Sequence, residues 1–511
     1  MQILSVLFDQ RSVGQEAPVR DPPQCFRDLN LDQIVASVTA GREEYALGPF
    51  FYTHLRDVEA IRYRHAVFRD LEERATLTHI QTFAVAMRAV RDQMAKSQNV
   101  RHGYQKQRWF LDAVITYCRG VVRLHEGLGH ASLASEGLQD FRQYLATYIG
   151  SEAFVARHTN AMKVQEALLA IHYDLLVDGG RIEVKRHEPE PDYGEEIRGV
   201  FQKFEQGAVE EYAFKFYDRE ELNHIEEAIL DRVAHLYQKQ FQGLAHFCTQ
   251  HRDFEDAVIG RFDREVQFFL AYLEYLETFK QSALSFCYPD LAEQTRDEWA
   301  EGVFDLALAE KLTRARGRVV TNDFELSAPE RIIVVTGANQ GGKTTFARAF
   351  GQLHYLASLG CPVPARRASL ALFDELFTHF EREEAVQSLT GKLEDELLRI
   401  HDILSRATAE SILIMNETFG ATTLSDALVL GRAVLNQVID RGMRCVCVTF
   451  IEELASLDAA TVSMVSTVDP SDPAIRTFRI IRQAADGRAH ALAIAQKYRL
   501  SYQDVRERVA R

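Results

Sequence analysis

The stretch RIIVVTGANQGGKTT, residues 331 to 345, constrains this chain more than any other. An apolar run leads into a glycine-rich turn, and a helix-compatible continuation, FARAFGQLHYLASL, follows. Gly337, Gly342, Lys343 and Thr344 satisfy G-x-x-x-x-G-K-[ST] in the strand-loop-helix setting that the pattern requires. Glycines let backbone N–H groups turn inward on phosphates, and the following helix presents its positive end. Lys343 adds a point charge for the β and γ oxygens, and Thr344 offers a hydroxyl to Mg²⁺. Residues Gly337, Ala338, Asn339, Gln340, Gly341, Gly342, Lys343, Thr344 and Thr345 are therefore expected to cradle a nucleoside triphosphate.

A second stretch, SILIMNE at 411 to 417, is an apolar run that ends in polar groups where a parallel strand would emerge beside such a loop. Glu417 is the candidate base, able to orient an attacking water. Asn416 stands where an acid would hold the magnesium shell, and an amide offers only a neutral carbonyl oxygen. The metal positions are then Thr344 and Asn416, both acting indirectly on Mg²⁺.

Organisation follows from periodicity. From about residue 25 to 300 apolar residues recur at helical spacing, as in Ile80, Phe83, Met87 and Val90 or Phe262, Val266, Phe269 and Leu273. HYDLLVDGGRIEVKR interrupts them with a hairpin signal at Asp178, Gly179 and Gly180. Beyond it, residues 183 to 221 carry twelve acidic against six basic side chains, an exposed acidic segment. From about residue 305 short apolar runs (RIIVV, SLALFDELF, SILIM, RCVCVTF, IRTFRII) alternate with helical stretches, the grammar of a largely parallel sheet buried on both faces. An α/β domain appended to an α-rich one is the expected fold class.

Composition narrows the rest. A chain of 511 residues with 46% hydrophobic and 26% charged residues fits two to four globular domains. It has neither an uninterrupted apolar run of membrane-spanning length nor the marks of a secretory signal, so cytoplasm is the expected location. Seven cysteines form no disulfide pattern, and Cys445 and Cys447 alternate with valine on an expected buried strand. A net charge of -15 argues against a wholesale basic coat for nucleic acid while leaving room for a local patch. HEGLGH at 125 to 130 spaces its histidines five apart with glycines expected to interrupt a helix, so it is not read as a zinc site.

RIIVVTGANQGGKTTFARAFGQL, SLALFDELFTHFEREE and SILIMNETFGATTLSDALVLGRAVL together resemble, in order and spacing, the ATPase core of the MutS family of DNA mismatch repair proteins. VVTNDFEL at 319 to 326 resembles the segment before that family's P-loop. FLAYLEYLETFKQSALSFCYPDL resembles the end of its lever domain, and DGRAHALAIAQKYRLSYQDVRERV its C-terminal dimer-forming helices. The implied fold is an α/β P-loop NTPase of the ABC type, with a mostly parallel sheet, preceded by an α-rich lever domain with a small β excursion. The implied boundaries are an N-terminal segment 1–25, a core and lever domain 26–304 with a clamp-like insertion at about 172–221, an ATPase domain 305–490 and dimerisation helices 491–511.

The resemblance further implies an ATPase converting ATP and water to ADP and phosphate with Mg²⁺, in which Lys343 and Glu417 are catalytic. Asn339 and Asn322 are nucleotide contacts, while Ser388 and Gly391, in SLTGKL, form a signature offered to the partner subunit's nucleotide. Thr422, Thr423 and Asp426 fall at the dimer interface, so a homodimer and DNA are the implied partners. Two departures, Asn416 and Phe450 in place of a phosphate-sensing histidine, point towards slower or differently gated hydrolysis. The family's N-terminal mismatch-reading and connector domains have no counterpart in these residues. Phe50, Phe51 and Tyr52 read as packing residues, so direct mismatch reading is not expected. Arg181, Lys185 and Arg186 on the hairpin could touch phosphates, although the acidic segment after them would repel a duplex and could engage a protein instead. RHGYQKQRWF at 101 to 110 is open to two readings, a nucleic-acid surface or an ordinary helix face. The alternative function is a nucleotide-switched protein-binding scaffold.

Overall fold

A computed structural model of the chain describes residues 4–9, 19–188, 221–292, 297–381, 391–420, 422–472 and 475–484. Ser388, the stretch 189–220 and the segment 491–511 lie outside the described residues. The chain forms two compact units, residues 72–133 with 139–263, and residues 1–71 with 134–138 and 264–511.

The first of these is built on the long helices Arg74–Asn99 and Gly103–His130, followed by Glu152–Leu169, His224–Leu236 and Gln238–Gln250. Ile80, Phe83, Met87 and Val90 are all at most 2% exposed, as one apolar stripe at helical spacing requires. Gly127 does not interrupt its helix, contrary to the reading of HEGLGH. A Cβ there would lie 2.4 Å from the His79 ring, so the missing side chain is what lets the two long helices approach. Strands β1 (Tyr173–Asp178) and β2 (Arg181–Arg186) pair antiparallel across the tight turn at Gly179 and Gly180, with Gly179 at φ 58°. In RHGYQKQRWF, Phe110 is buried and Tyr104 packs edge-on against Phe241 at 4.8 Å, while Lys96 lies 4.9 Å over the Trp109 ring. Those aromatics hold a helix surface together.

The other unit contains two sheets. Strands β3 (Asp290–Ala292), β4 (Glu298–Val303), β5 (Asn322–Leu326) and β7 (Arg367–Ala371) form a mixed four-stranded sheet in the order β3-β7-β4-β5. Strands β6 (Ile332–Gly337), β8 (Leu376–Phe380), β9 (Ile412–Asn416), β10 (Arg444–Val448), β11 (Thr461–Val468) and β12 (Arg476–Arg482) form a six-stranded sheet in the order β12-β11-β6-β10-β9-β8. All its pairings are parallel except β11 with β12. SLALFDELF, expected as one run, divides between the two sheets as β7 and β8. Ile332, Val334, Leu413, Met415, Cys445 and Cys447 face one apolar cluster with the helices Lys392–Arg406 and Leu424–Arg441. The alternate residues Ile333, Val335, Ile414 and Val446 are buried as well, which is why these strands read as continuous apolar runs.

The helix Lys343–Ser358 is buried along most of its length. Residues 25–64 cover much of it: Tyr355 packs against Phe26 with ring centroids 5.0 Å apart and donates to Phe51 O at 3.0 Å, and Arg348 donates to Asp28 O at 2.9 Å. Phe50 and Phe51 are buried, and Phe51 lies 4.7 Å from Phe268. Among the described residues no helix is long and apolar enough to cross a membrane.

Candidate nucleotide site

Strand β6 ends at Gly337, whose φ of 103° turns the chain into the loop, and Gly342 at φ 93° starts the helix Lys343–Ser358. Both glycines occupy backbone that side chains rarely adopt. Gly337 and Gly341 are also required by contact, because strand β11 runs directly beneath the loop. A Cβ on Gly337 would lie 2.8 Å from Ser466 O, and one on Gly341 would lie 2.0 Å from Ser466 Oγ and 2.9 Å from Ala338 O. Ser466 Oγ in turn donates to Gly341 O at 2.8 Å, pinning the loop to the sheet.

Lys343 is folded back into this loop. Its Nζ donates to Gly337 O at 2.9 Å, Ala338 O at 3.2 Å and Asn339 Oδ1 at 3.1 Å. Burial pushes the ammonium below its ordinary range; Glu417 opposes that shift and Arg476 reinforces it. The opposing influence of Glu417 places its carboxylate in the same electrostatic neighbourhood as Lys343. Thr344 Oγ1 donates to Asn416 Oδ1 at 2.8 Å, so the two positions expected to serve Mg²⁺ meet directly.

The route by which Asn416 and Glu417 reach the loop differs from the expectation. Strand β9 is not the neighbour of β6; β10 lies between them, pairing Val448 with both Val335 and Asn416. The end of β9 then bends sharply. Glu417 (φ 53°) and Phe419 (φ 64°) are both left-handed, a conformation costing on the order of 1–2 kcal/mol per non-glycine residue. Glu417 N donates to Val448 O at 2.9 Å, and Phe419 N to the buried Glu396 Oε2 at 3.0 Å, which hold the strained turn in place.

Other expected site residues fall as follows. Asn339 and Gln340 are exposed at the crest of the loop, Ala338 is buried, and Thr345 is half-buried one residue beyond Thr344. Asn322 has both ends of its carboxamide engaged with β12, accepting from Ile480 N at 2.7 Å and donating to Phe478 O at 3.2 Å. Gly391 is exposed at the start of the helix Lys392–Arg406. Thr423 Oγ1 caps the helix Leu424–Arg441, accepting from Asp426 N at 3.2 Å, and Thr422 Oγ1 donates to Asp426 Oδ2 at 3.3 Å. Phe450 follows β10 and is 51% exposed. Arg186 is engaged with Leu236 O and the Tyr237 ring, and Lys185 pairs with Glu183.

Two residues that the sequence reading missed also reach the loop. Arg476 Nε donates to Asn339 O at 3.1 Å, and Phe478, left-handed at φ 58°, comes within 3.7 Å of a Cβ built on Gly342. Nothing local in IRTFRII marks either residue, since both act through strand pairing more than 130 positions from the loop.

Glycine-lined loop, buried lysine, helix-borne threonine and strand-end carboxylate define a P-loop NTPase domain of the α/β class. Residues 333–507 match the family model described as MutS domain V. Over that stretch, about a third of the chain, the protein is similar to the MutS family. It is 30% identical to the Endonuclease MutS2 of Gemmatimonas aurantiaca over 193 residues, 37% of this chain and 23% of that protein. To the DNA mismatch repair protein MutS of Shouchella clausii it is 28% identical over 186 residues, 35% of this chain and 21% of the relative. To that of Caldicellulosiruptor bescii it is 29% identical over 248 residues, 47% and 28% respectively. The chain thus spans only about a quarter of the length of these relatives.

Proposed function

We propose that this protein is an ATP-dependent DNA-binding protein of the MutS type, a homodimer whose nucleotide state controls its grip on DNA without direct mismatch reading. The observation that carries the ATPase part is the meeting of Thr344 and Asn416 at 2.8 Å beside a loop already organised around Lys343. In this reading the loop amides and Lys343 bind the triphosphate, and Glu417 orients water at the strand end. Thr344 and Asn416 fit Mg²⁺ as neutral oxygen donors, and the ion when bound neutralises phosphate charge. Asn416 and Phe450 make turnover slow. Ser388 and Gly391 complete the partner subunit's site, with Thr422, Thr423 and Asp426 at the interface; the exposed Leu424 and Val429 on the adjoining helix support an interface there.

Nucleotide can control DNA only if its two states favour different arrangements of the protein. The test has two arms. Phosphate release by the wild type should fall at least tenfold in Glu417→Gln and Lys343→Ala; equal rates would remove these residues from the reaction. Duplex, junction and single-stranded probes should bind at low salt with ATP or ADP, and failure of all three would remove DNA from the reading.

A second reading, a nucleotide-switched protein scaffold, is favoured by the hairpin. Leu175, Val177 and Ile182 lie on one face of β1 and β2 and are each at least 40% exposed, a surface better suited to a protein than to phosphates. It is also the reading in which the acidic 183–221 segment engages a protein partner.

A further inference from the structure

A second charged cavity lies away from the P-loop. Arg62, His65 and Arg69 occupy positions i, i+3 and i+7 on one face of the helix Val58–Glu72. With Pro289, Asp290 and Leu291 they line a cavity of about 300 Å³. His65 is only 4% exposed, and its Nε2 has no hydrogen-bond partner among the described residues. Leaving such an atom buried and unpaired is unfavourable, and a ligand with acceptor oxygens would relieve it.

Tyr288 organises the wall. Its ring meets His65 edge-on at 5.0 Å, and the Arg69 guanidinium lies 4.8 Å over the same ring. A ring face holds Arg69 in place without neutralising it. Arg62 is paired with Glu59 at 2.5 Å on the exposed side of the helix. Burial first, and then the fields of Arg69 and Arg62, push His65 down to about 4, so both guanidiniums act on the imidazole. A neutral imidazole that can donate through Nε2, flanked by a fork-shaped cation, complements a tetrahedral oxyanion. Asp290 is exposed at the rim and, among the described residues, is the one acid lining the cavity.

We propose that Arg62, His65 and Arg69 form an anion site that binds a phosphate group and is separate from the nucleotide site. Arg64, next to His65 in sequence, donates to Leu359 O at 2.8 Å, at the far end of the 16-residue helix that begins in the P-loop. At 1.5 Å per residue that helix is roughly 24 Å long, so the end that Arg64 contacts is well removed from the P-loop. This inference does not depend on ATP hydrolysis or on DNA control.

The test uses the full chain carrying Lys343→Ala, which weakens the P-loop as a phosphate site. Inorganic phosphate should show saturable broadening of its ³¹P signal on titration with this protein. Arg69→Ala and His65→Leu should each weaken binding roughly tenfold, whereas His65→Gln, which keeps a donor, should stay within about threefold. Circular dichroism establishes that each variant is folded, and Arg69→Ala, altering a side chain outside the core, carries the test if a His65 variant is not. Competition separates the sources of the phosphate. Displacement by an unphosphorylated deoxyoligonucleotide supports a phosphodiester ligand, and displacement by glucose 6-phosphate alone supports a free phosphomonoester. No saturable broadening, displacement by neither competitor, or binding unaffected by Arg69→Ala would overturn the site.

Discussion

Thr344 Oγ1 donates a 2.8 Å hydrogen bond to Asn416 Oδ1, joining the first turn of the P-loop helix to the end of a strand two places away in the sheet. The two residues proposed to serve Mg²⁺ are in contact, and neither carries a charge. The first prediction follows from that neutrality.

Asn416→Asp puts a carboxylate on an acceptor already in position. The Mg²⁺ concentration for half-maximal phosphate release should fall roughly tenfold, the size expected when a neutral ligand oxygen becomes an anionic one. Asn416→Ala should raise it. A Mg²⁺ titration of steady-state turnover checks both, and an unchanged midpoint in Asn416→Asp would place Mg²⁺ elsewhere.

Gly341→Ala should cost nucleotide affinity at least tenfold without unfolding the domain, because the added methyl collides with Ser466 Oγ and with Ala338 O. Removing the hydroxyl in Gly341→Ala/Ser466→Ala should restore only part of the loss, since the Ala338 carbonyl at 2.9 Å is backbone and cannot swing away. Binding of a fluorescent ATP analogue measures both variants.

Arg476 braces the loop crest through Asn339 O. Arg476→Ala should raise KM for ATP roughly three- to tenfold and change kcat less, the signature of lost positioning and not of a lost reacting group. Arg476→Lys, without the planar fork, should recover little.

His65 supplies a pH prediction. Its folded value of about 4 lies below the ordinary 6.5, so the unfolded chain binds the proton more readily. The contribution is fully present above pH 6.5 and is lost as pH falls from 6.5 towards 4. Over that window the wild type should lose on the order of 2–3 kcal/mol more than His65→Gln, measured by urea unfolding in phosphate-free buffer.

Glu298 is 1% exposed and meets His354 and Arg444, the latter at 2.7 Å. Burial alone would raise its carboxyl, but the contacts with His354 and Arg444 outweigh burial and hold it low. Glu298→Gln removes the charge from one side of a buried ion pair and should destabilise the protein by roughly 3–5 kcal/mol, visible as a lowered thermal midpoint.

The parts legible in the sequence are those encoded over short distances. Gly337, Gly342, Lys343 and Thr344 lie within eight positions of one another, and their spacing specifies strand, loop and helix before any tertiary contact forms. Ile80, Phe83, Met87 and Val90 mark a helix face by period alone, and the turn at Gly179 and Gly180 marks its hairpin. The tertiary structure decided what those segments meet. It set β10 instead of β9 beside β6, split SLALFDELF between two sheets, and brought Ser466 and Arg476 to the loop from more than 120 residues away. It also forced Glu417 into left-handed backbone and set Tyr288 against His65 and Arg69. Strand order, burial and close approach arise from packing between segments distant in sequence, and local propensity carries no record of them.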